Sequence, residues 1–200
     1  MKTLAVYCGA AHGANPLYAD AARALARAMV EHNIALVYGG GKVGLMGVIA
    51  DEVLRLGGEA TGVIPRALVE REVGHAGLTR LFVVKDMHER KAMMSDLADG
   101  FIAMPGGMGT LEELFEMVTW AQLGIHAKPI GLLNVNGFYD GLRAFVRHQV
   151  QEGFVRPEHE GLMLAESDPV ELIRRLRAAA PAPAVQAAVE ADAEARGLRG

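Results

Sequence analysis

Short apolar runs alternate with longer helical patterns along almost the whole of this chain, and few folds accept that order. Leu4–Cys8, Ile34–Tyr38, Ala60–Ile64, Leu81–Val84, Phe101–Met104 and Ile130–Leu133 read as strands. Between them, Leu17–Glu31, Leu45–Leu56, His88–Leu97, Leu111–Leu123 and Phe138–Gln151 show helical spacing. Strand–helix alternation implies βαβ units, in which each helix crosses over to return a parallel strand. The strands are apolar nearly throughout, as expected when a sheet is covered on both faces. The expectation is an α/β three-layer fold, a mostly parallel sheet with helices on both faces. A last strand–helix pair follows at Met163–Ala165 and Pro169–Ala178. From Ala179 the composition shifts to Ala, Pro, Glu and Arg. The reading is one domain over 1–178 and a tail over 179–200, flexible or a frayed helix.

Composition narrows the function classes. The chain has 200 residues, 51% of them hydrophobic, which supports one sizeable core. Net charge is −4, so no basic footprint for nucleic acid exists. One cysteine, Cys8, excludes an intramolecular disulfide and suits a reducing compartment. The apolar run near Met1 is too short for a secretion signal and passes into a glycine-bearing loop. Nothing approaches the ~20 apolar residues of a membrane span. A cytoplasmic protein without membrane or nucleic-acid partners is expected.

Ligands of open parallel sheets bind outside the carboxyl ends of the strands. Three glycine-bearing loops fall there: Gly9 to Pro16, Gly39 to Gly47, and Pro105 to Thr110. The third is the most informative. Met104-Pro-Gly-Gly-Met-Gly-Thr-Leu-Glu-Glu113 joins an apolar strand to a helical pattern that Thr110 opens. Such a loop offers N–H groups and the positive helix end to an anion, so it reads as a phosphate cradle. Glu112 and Glu113 follow within a turn of that end. Acids beside a phosphate site point to chemistry on a phosphorylated molecule. Thr110-x-x-Glu113 also spells a capping box, which explains both residues without catalysis.

The other motifs are weaker. Gly39, Gly41 and Gly44 satisfy G-x-G-x-x-G, but no acid ends the following strand at Ile64-Pro65, where a dinucleotide ribose would need one. Gly40, Gly41 and Gly44 either touch a ligand or let a helix approach the sheet. Arg90 and Lys91 come early in a helix, where the dipole disfavours cations. A local rule broken near a ligand rim flags function, and Arg suits phosphate by its fork geometry. Asp86 and Glu89 can cap that helix. His75, His126 and His148 lack metal spacing, and no Cys/His/acid cluster implies a metal. Leu111–Leu123 is apolar round much of its circumference, which implies burial on more than one side and a partner subunit.

Met-Pro-Gly-Gly-Met-Gly-Thr-Leu-Glu-Glu resembles P-G-G-x-G-T-x-x-E, the signature of the LOG (Lonely Guy) family. The resemblance runs from about Thr3 to Leu164. It includes Val37-Tyr38-Gly39-Gly40-Gly41, Val43-Gly44-Leu45-Met46-Gly47, Gly62-Val63-Ile64-Pro65, Met87-His88-Glu89-Arg90-Lys91 and Trp120-Ala121-Gln122-Leu123-Gly124-Ile125-His126. The family implies a Rossmann-like fold, a homodimer and hydrolysis of nucleoside 5′-monophosphates to free base and ribose 5-phosphate. N6-substituted adenine nucleotides of the cytokinin type are the implied substrates, without metal or organic cofactor. By motif position, Glu113 and Arg90 fall on the catalytic positions. Glu72, Lys91, Gly106, Gly107, Met108, Gly109, Thr110, Leu111 and Glu112 fall on substrate-binding ones. Two places depart from the pattern. Cys8-Gly9-Ala10-Ala11 stands where many relatives have Cys-Gly-Ser-Ser, and Met108 stands where plant relatives usually have Tyr.

Two other classes stay open. A nucleotide or cofactor carrier of the same fold would keep the glycine loops without needing Glu113 or Arg90. A pyridoxal-dependent decarboxylase needs a Schiff-base lysine. None of Lys42, Lys85, Lys91 or Lys128 stands in a context that argues for one.

Overall fold

Seven parallel strands form one sheet in the order β4-β3-β2-β1-β5-β6-β7 in this computed structural model, which describes residues 1–69, 74–181 and 183–197. The strands are β1 (Thr3–Tyr7), β2 (Ala35–Tyr38), β3 (Ala60–Pro65), β4 (Arg80–Val84), β5 (Phe101–Ala103), β6 (Ile130–Leu133) and β7 (Met163–Glu166). The helices are α1 (Leu17–Glu31), α2 (Gly44–Arg55), α3 (Met87–Leu97), α4 (Met108–Gln122), α5 (Asp140–Gln151), α6 (Pro169–Ala179) and α7 (Pro183–Ala195). Every strand expected from the apolar runs is present.

Two cores flank the sheet. Alternation along β1 shows why: successive side chains point to opposite faces. Leu4, Val6 and Cys8 join the core built with α1, α2 and α6. Ala5 and Tyr7 join the core built with Met94 of α3 and Leu114, Met117 and Val118 of α4. The chain order reverses beside β1, which lies between β2 and β5. A ligand crevice belongs at that switch point, above the carboxyl ends of β1 and β5.

The loops at that rim are hydrogen-bonded together. Gly9 N–H donates to Pro105 O at 3.1 Å, and Leu45 N–H donates to Gly9 O at 2.9 Å. Gly44 takes φ +58°, and a Cβ on it would overlap the Ala10 backbone. Close approach of the β1 and β2 loops therefore requires glycine there. From the far side, Tyr139 Oη donates to Met104 O at 2.6 Å and fixes the strand end that leads into the third loop.

One local expectation is corrected. The helix after that loop begins at Met108, and Gly107 is its N-cap. Thr110 does not cap, and no capping box forms with Glu113. Glycine is an acceptable N-cap but carries no side chain to announce itself. In contrast, Asp86 caps α3, accepting from His88 and Glu89 N–H at 3.0 Å each. Beyond α6, α7 returns to the body: Ala193 is fully buried, and Glu190 lies 3.6 Å from Lys128. No helix among the described residues is long and apolar enough to cross a membrane.

Candidate active site

The cavity at the switch point has a volume of about 260 Å³. Its floor is the end of β1, with Val6, Tyr7, Cys8 and Ala10. One wall is the start of α4, with Gly107, Gly109, Thr110, Glu112 and Glu113. The opposite wall brings Gly39 and Met46 from the β2 loop and α2, Leu68 from the β3–β4 connection, and Met87 and Arg90 from α3.

The α4 wall suits an anion. The first N–H groups of a helix have no acceptor within it, and the dipole adds positive potential. At both Gly107 and Gly109 an added Cβ would meet nothing within 4 Å, so the backbone of this turn is open to a ligand. Gly106 serves differently. A Cβ there would overlap Thr110 Oγ1 and stand 2.8 Å from Gly9 N, so this glycine lets the Thr110 side chain fold back under the loop. Thr110 is 4% exposed in consequence. Met108, by contrast, is 84% exposed at the tip.

Arg90 and Glu113 face each other across the cavity, with Arg90 Nη2 3.4 Å from Glu113 Oε1. Their side chains are only 7% and 10% exposed. A buried pair of this kind is costly to assemble, and removing either partner leaves the other charge uncompensated. Arg90 Nε has no hydrogen-bond acceptor among the described residues, so the guanidinium keeps a free donor. Cations early in α3 are thus explained: carboxylates of α4 offset the unfavourable dipole. Lys91, buried beside Arg90, pairs with Glu112 and with Glu116, the latter at 3.1 Å. Burial alone would lower the Lys91 ammonium pKa. The hydrogen bonds to Glu112 and Glu116 outweigh it and hold the group above its ordinary value. A lysine held protonated between two acids is not poised as a Schiff-base amine.

The floor residues stay neutral. Burial pushes the Tyr7 hydroxyl and the Cys8 thiol far above their ordinary pKa values, and the Glu113 charge adds to both. Neither serves as an ionised nucleophile. Among the described residues lining the cavity, the ionic groups are Arg90, Glu112 and Glu113. No group of three or more His, Cys, Asp or Glu side chains among the described residues is arranged to hold a metal.

The structure therefore brings together Arg90, Gly107, Gly109, Thr110, Glu112 and Glu113. Gly106 lies just beneath them, Lys91 braces Glu112 from α3, and Leu111 is half-buried on the same turn. Gly40, Gly41 and Gly44 do not line the cavity; Gly39 does. Glu72 lies outside the described residues. Tyr7, Cys8, Met46 and Leu68 line the site but were not expected there. The signal that marks Tyr7 and Cys8 is their place at the carboxyl end of the apolar run of β1, directly before the Gly9 loop.

Residues 46–176 match the protein-family model described as "possible lysine decarboxylase". The chain is 47% identical over 180 residues to the probable cytokinin riboside 5′-monophosphate phosphoribohydrolase LOGL2 of Oryza sativa subsp. japonica, covering 90% of this chain and 74% of the relative. It is 48% identical over 175 residues to the cytokinin riboside 5′-monophosphate phosphoribohydrolase LOG7 of Arabidopsis thaliana, covering 88% and 81%. Among solved structures, the molybdenum cofactor binding protein of Rippkaea orientalis superposes with a TM-score of 0.66 at 20% identity, over 88% of this chain and 95% of that one. The molybdenum cofactor carrier protein of Chlamydomonas reinhardtii gives 0.64 at 18%, over 88% and 98%. These two likenesses show a shared Rossmann-like fold. With its signature motif intact and nearly half its residues identical to those of the plant proteins over most of its length, the chain belongs to the LOG family.

Proposed function

We propose that this protein hydrolyses the N-glycosidic bond of N6-substituted adenosine 5′-monophosphates, releasing the free base and ribose 5-phosphate. The observation that carries the reading is a buried Arg90–Glu113 pair within two turns of an open, glycine-lined helix N-terminus. Phosphate binds the N–H groups of the Gly107–Thr110 turn. The sugar then lies along α4 toward Glu113, with the anomeric carbon at the carboxylate.

Cleavage builds positive charge on the ribose, as in other glycoside hydrolyses. The Glu113 carboxylate stabilises that charge and takes a proton from the attacking water. Hydroxide adds to C1′, the C–N bond breaks with its electron pair on the base, and the base nitrogen takes up a proton. Arg90 donates to the nucleotide and orients it. Lys91 holds Glu112 against the same turn. Glu72 is assigned to the nucleotide by motif position alone. The chemistry calls on no metal and no organic cofactor.

The protein acts as a homodimer in this reading. At about 260 Å³ the cavity is smaller than the ~300–1,000 Å³ usual for ligand sites, so a nucleotide extends beyond it toward a covering surface. Edge strand β4 exposes Leu81, Phe82 and Val83 at 39%, 37% and 48%. Such an edge is normally covered in a stable protein. Site, dimer and cytoplasmic location belong together in this proposal.

The test is product analysis. The purified protein is incubated with N6-isopentenyladenosine monophosphate and, separately, AMP. Free base and ribose 5-phosphate in equal amounts support the reading. Bound but intact nucleotide would favour a carrier.

A further inference from the structure

One buried histidine ties the β3–β4 connection to the glycine loop after β2. His75 is 6% exposed. Its N–H donates to Gly40 O at 3.1 Å, and Gly41 and Gly74 form an isolated antiparallel bridge beside it. Gly77 N–H donates to His75 Nδ1 at 3.1 Å. That bond leaves the ring proton on Nε2, which lies 2.8 Å from Asp51 Oδ1 on α2. One residue thus joins the connection, the β2 loop and α2. Gly40 takes φ +77° with Ile64 and Leu81 side chains 3.2 Å from where a Cβ would stand, so the loop is shaped for this contact.

Both sides of the link lead to the active site. Gly39 lies directly against Arg90, since a Cβ there would overlap Nη2. Leu68 lines the cavity, and Gly74 N–H donates to Val69 O at 3.2 Å one residue before the histidine. The intervening chain carries Glu72.

We propose that His75 is a positioning residue for nucleotide binding: its ring, set between Gly77 N–H and Asp51, holds in place the backbone that donates to Gly40 O, and so fixes both Leu68 and the shelf on which Arg90 rests. The proposal rests on the reading that Arg90 and this cavity take the nucleotide. His75 touches no substrate. Asp51 is 61% exposed on its side chain, so water competes for its end of the link and the Gly77 end matters more.

The order of effects follows. His75→Ala removes both ring contacts and raises KM for N6-isopentenyladenosine monophosphate about tenfold, with kcat within about threefold. His75→Asn keeps an acceptor for Gly77 N–H and loses Asp51, so it matches Asp51→Ala, with a KM rise of about threefold or less. Val53→Ala, in the α2 core and away from the site, lowers the melting temperature without moving KM. Wild-type KM in His75→Ala overturns the proposal, as does an equal KM rise in Val53→Ala. A collapse of kcat at constant KM overturns it as well, since that marks a catalytic group. A second readout needs no turnover. His75→Ala accelerates amide exchange at Gly74 and Gly77, which the link holds, while α5 is unchanged. If the wild-type protein releases no base, the proposed function fails and this exchange measurement alone judges the link; unchanged exchange there overturns it.

Discussion

Glu113→Gln isolates the charge on which the proposed chemistry depends. The substitution keeps size and one acceptor oxygen and removes only the carboxylate charge. At 3.4 Å from Arg90 Nη2, that charge interacts with the guanidinium by about 5 kcal/mol in a protein-like effective dielectric of ~20. Stability falls by less, about 3 kcal/mol, because the amide still accepts from Arg90 and the guanidinium gains water through the cavity. For a chain of this size that is a drop of roughly 6–12 °C in melting temperature. Turnover falls further. Losing an electrostatic or acid–base group of this kind costs about 10²-fold or more in kcat, some 2.7 kcal/mol of transition-state stabilisation. KM stays level or falls, because Arg90 is released to the nucleotide and a carboxylate no longer repels the phosphate. The assay is steady-state release of base, with a melting curve on the same sample. Turnover within about threefold of wild type, alongside the expected melting shift, would show that Glu113 is only the structural partner of Arg90.

Three further outcomes follow from the same geometry. Gly106→Ala drives a Cβ into Thr110 Oγ1 and Gly9 N, so it costs about 1–3 kcal/mol of stability and weakens phosphate binding; an unchanged melting temperature would show that the loop yields freely. Burial lowers His126 to about 4, against about 6.5 in the unfolded chain, while its bond to Met117 O opposes the shift. The unfolded state therefore binds the extra proton first. This contribution is fully present above pH 6.5, falls by about 1.4 kcal/mol per unit as pH drops below it, and is lost by pH 4, for a total of about 3 kcal/mol. Denaturant melts at pH 7, 6 and 5 should show that slope, and His126→Gln should flatten it. Light scattering at micromolar concentration should give about twice the 21.3 kDa chain mass; an active monomer there would refute the shared interface.

Most of the fold was legible because its strands are buried on both faces. Runs such as Phe101–Ala103 are apolar throughout, with Gly100 before and Pro105-Gly106 soon after, and that signal is local. The start of α4 was less legible. Thr110 looked like a cap because its hydroxyl and the acid three residues later fit the pattern, yet backbone geometry put the cap at Gly107. Arg90 and Lys91 could be flagged as cations on the wrong end of a helix, but their carboxylate partners lie on another helix. Those pairings depend on α3 and α4 packing side by side on one face of the sheet. The His75 link was hidden for the same reason. Its contacts to Gly40 and Asp51 join residues 35 and 24 positions away, and neither has a periodicity to betray it.

In the proposed mechanism a phosphate cradle and a carboxylate act together on one substrate. The most direct measurement is kcat/KM for N6-isopentenyladenosine monophosphate against the same riboside without its phosphate. Phosphate held by the α4 N-terminus positions the reacting bond, so binding energy remote from the anomeric carbon is used in the transition state. The monophosphate should be preferred by about 10³-fold or more. Rates for the two within tenfold of each other would contradict it and leave the glycine turn without its assigned role.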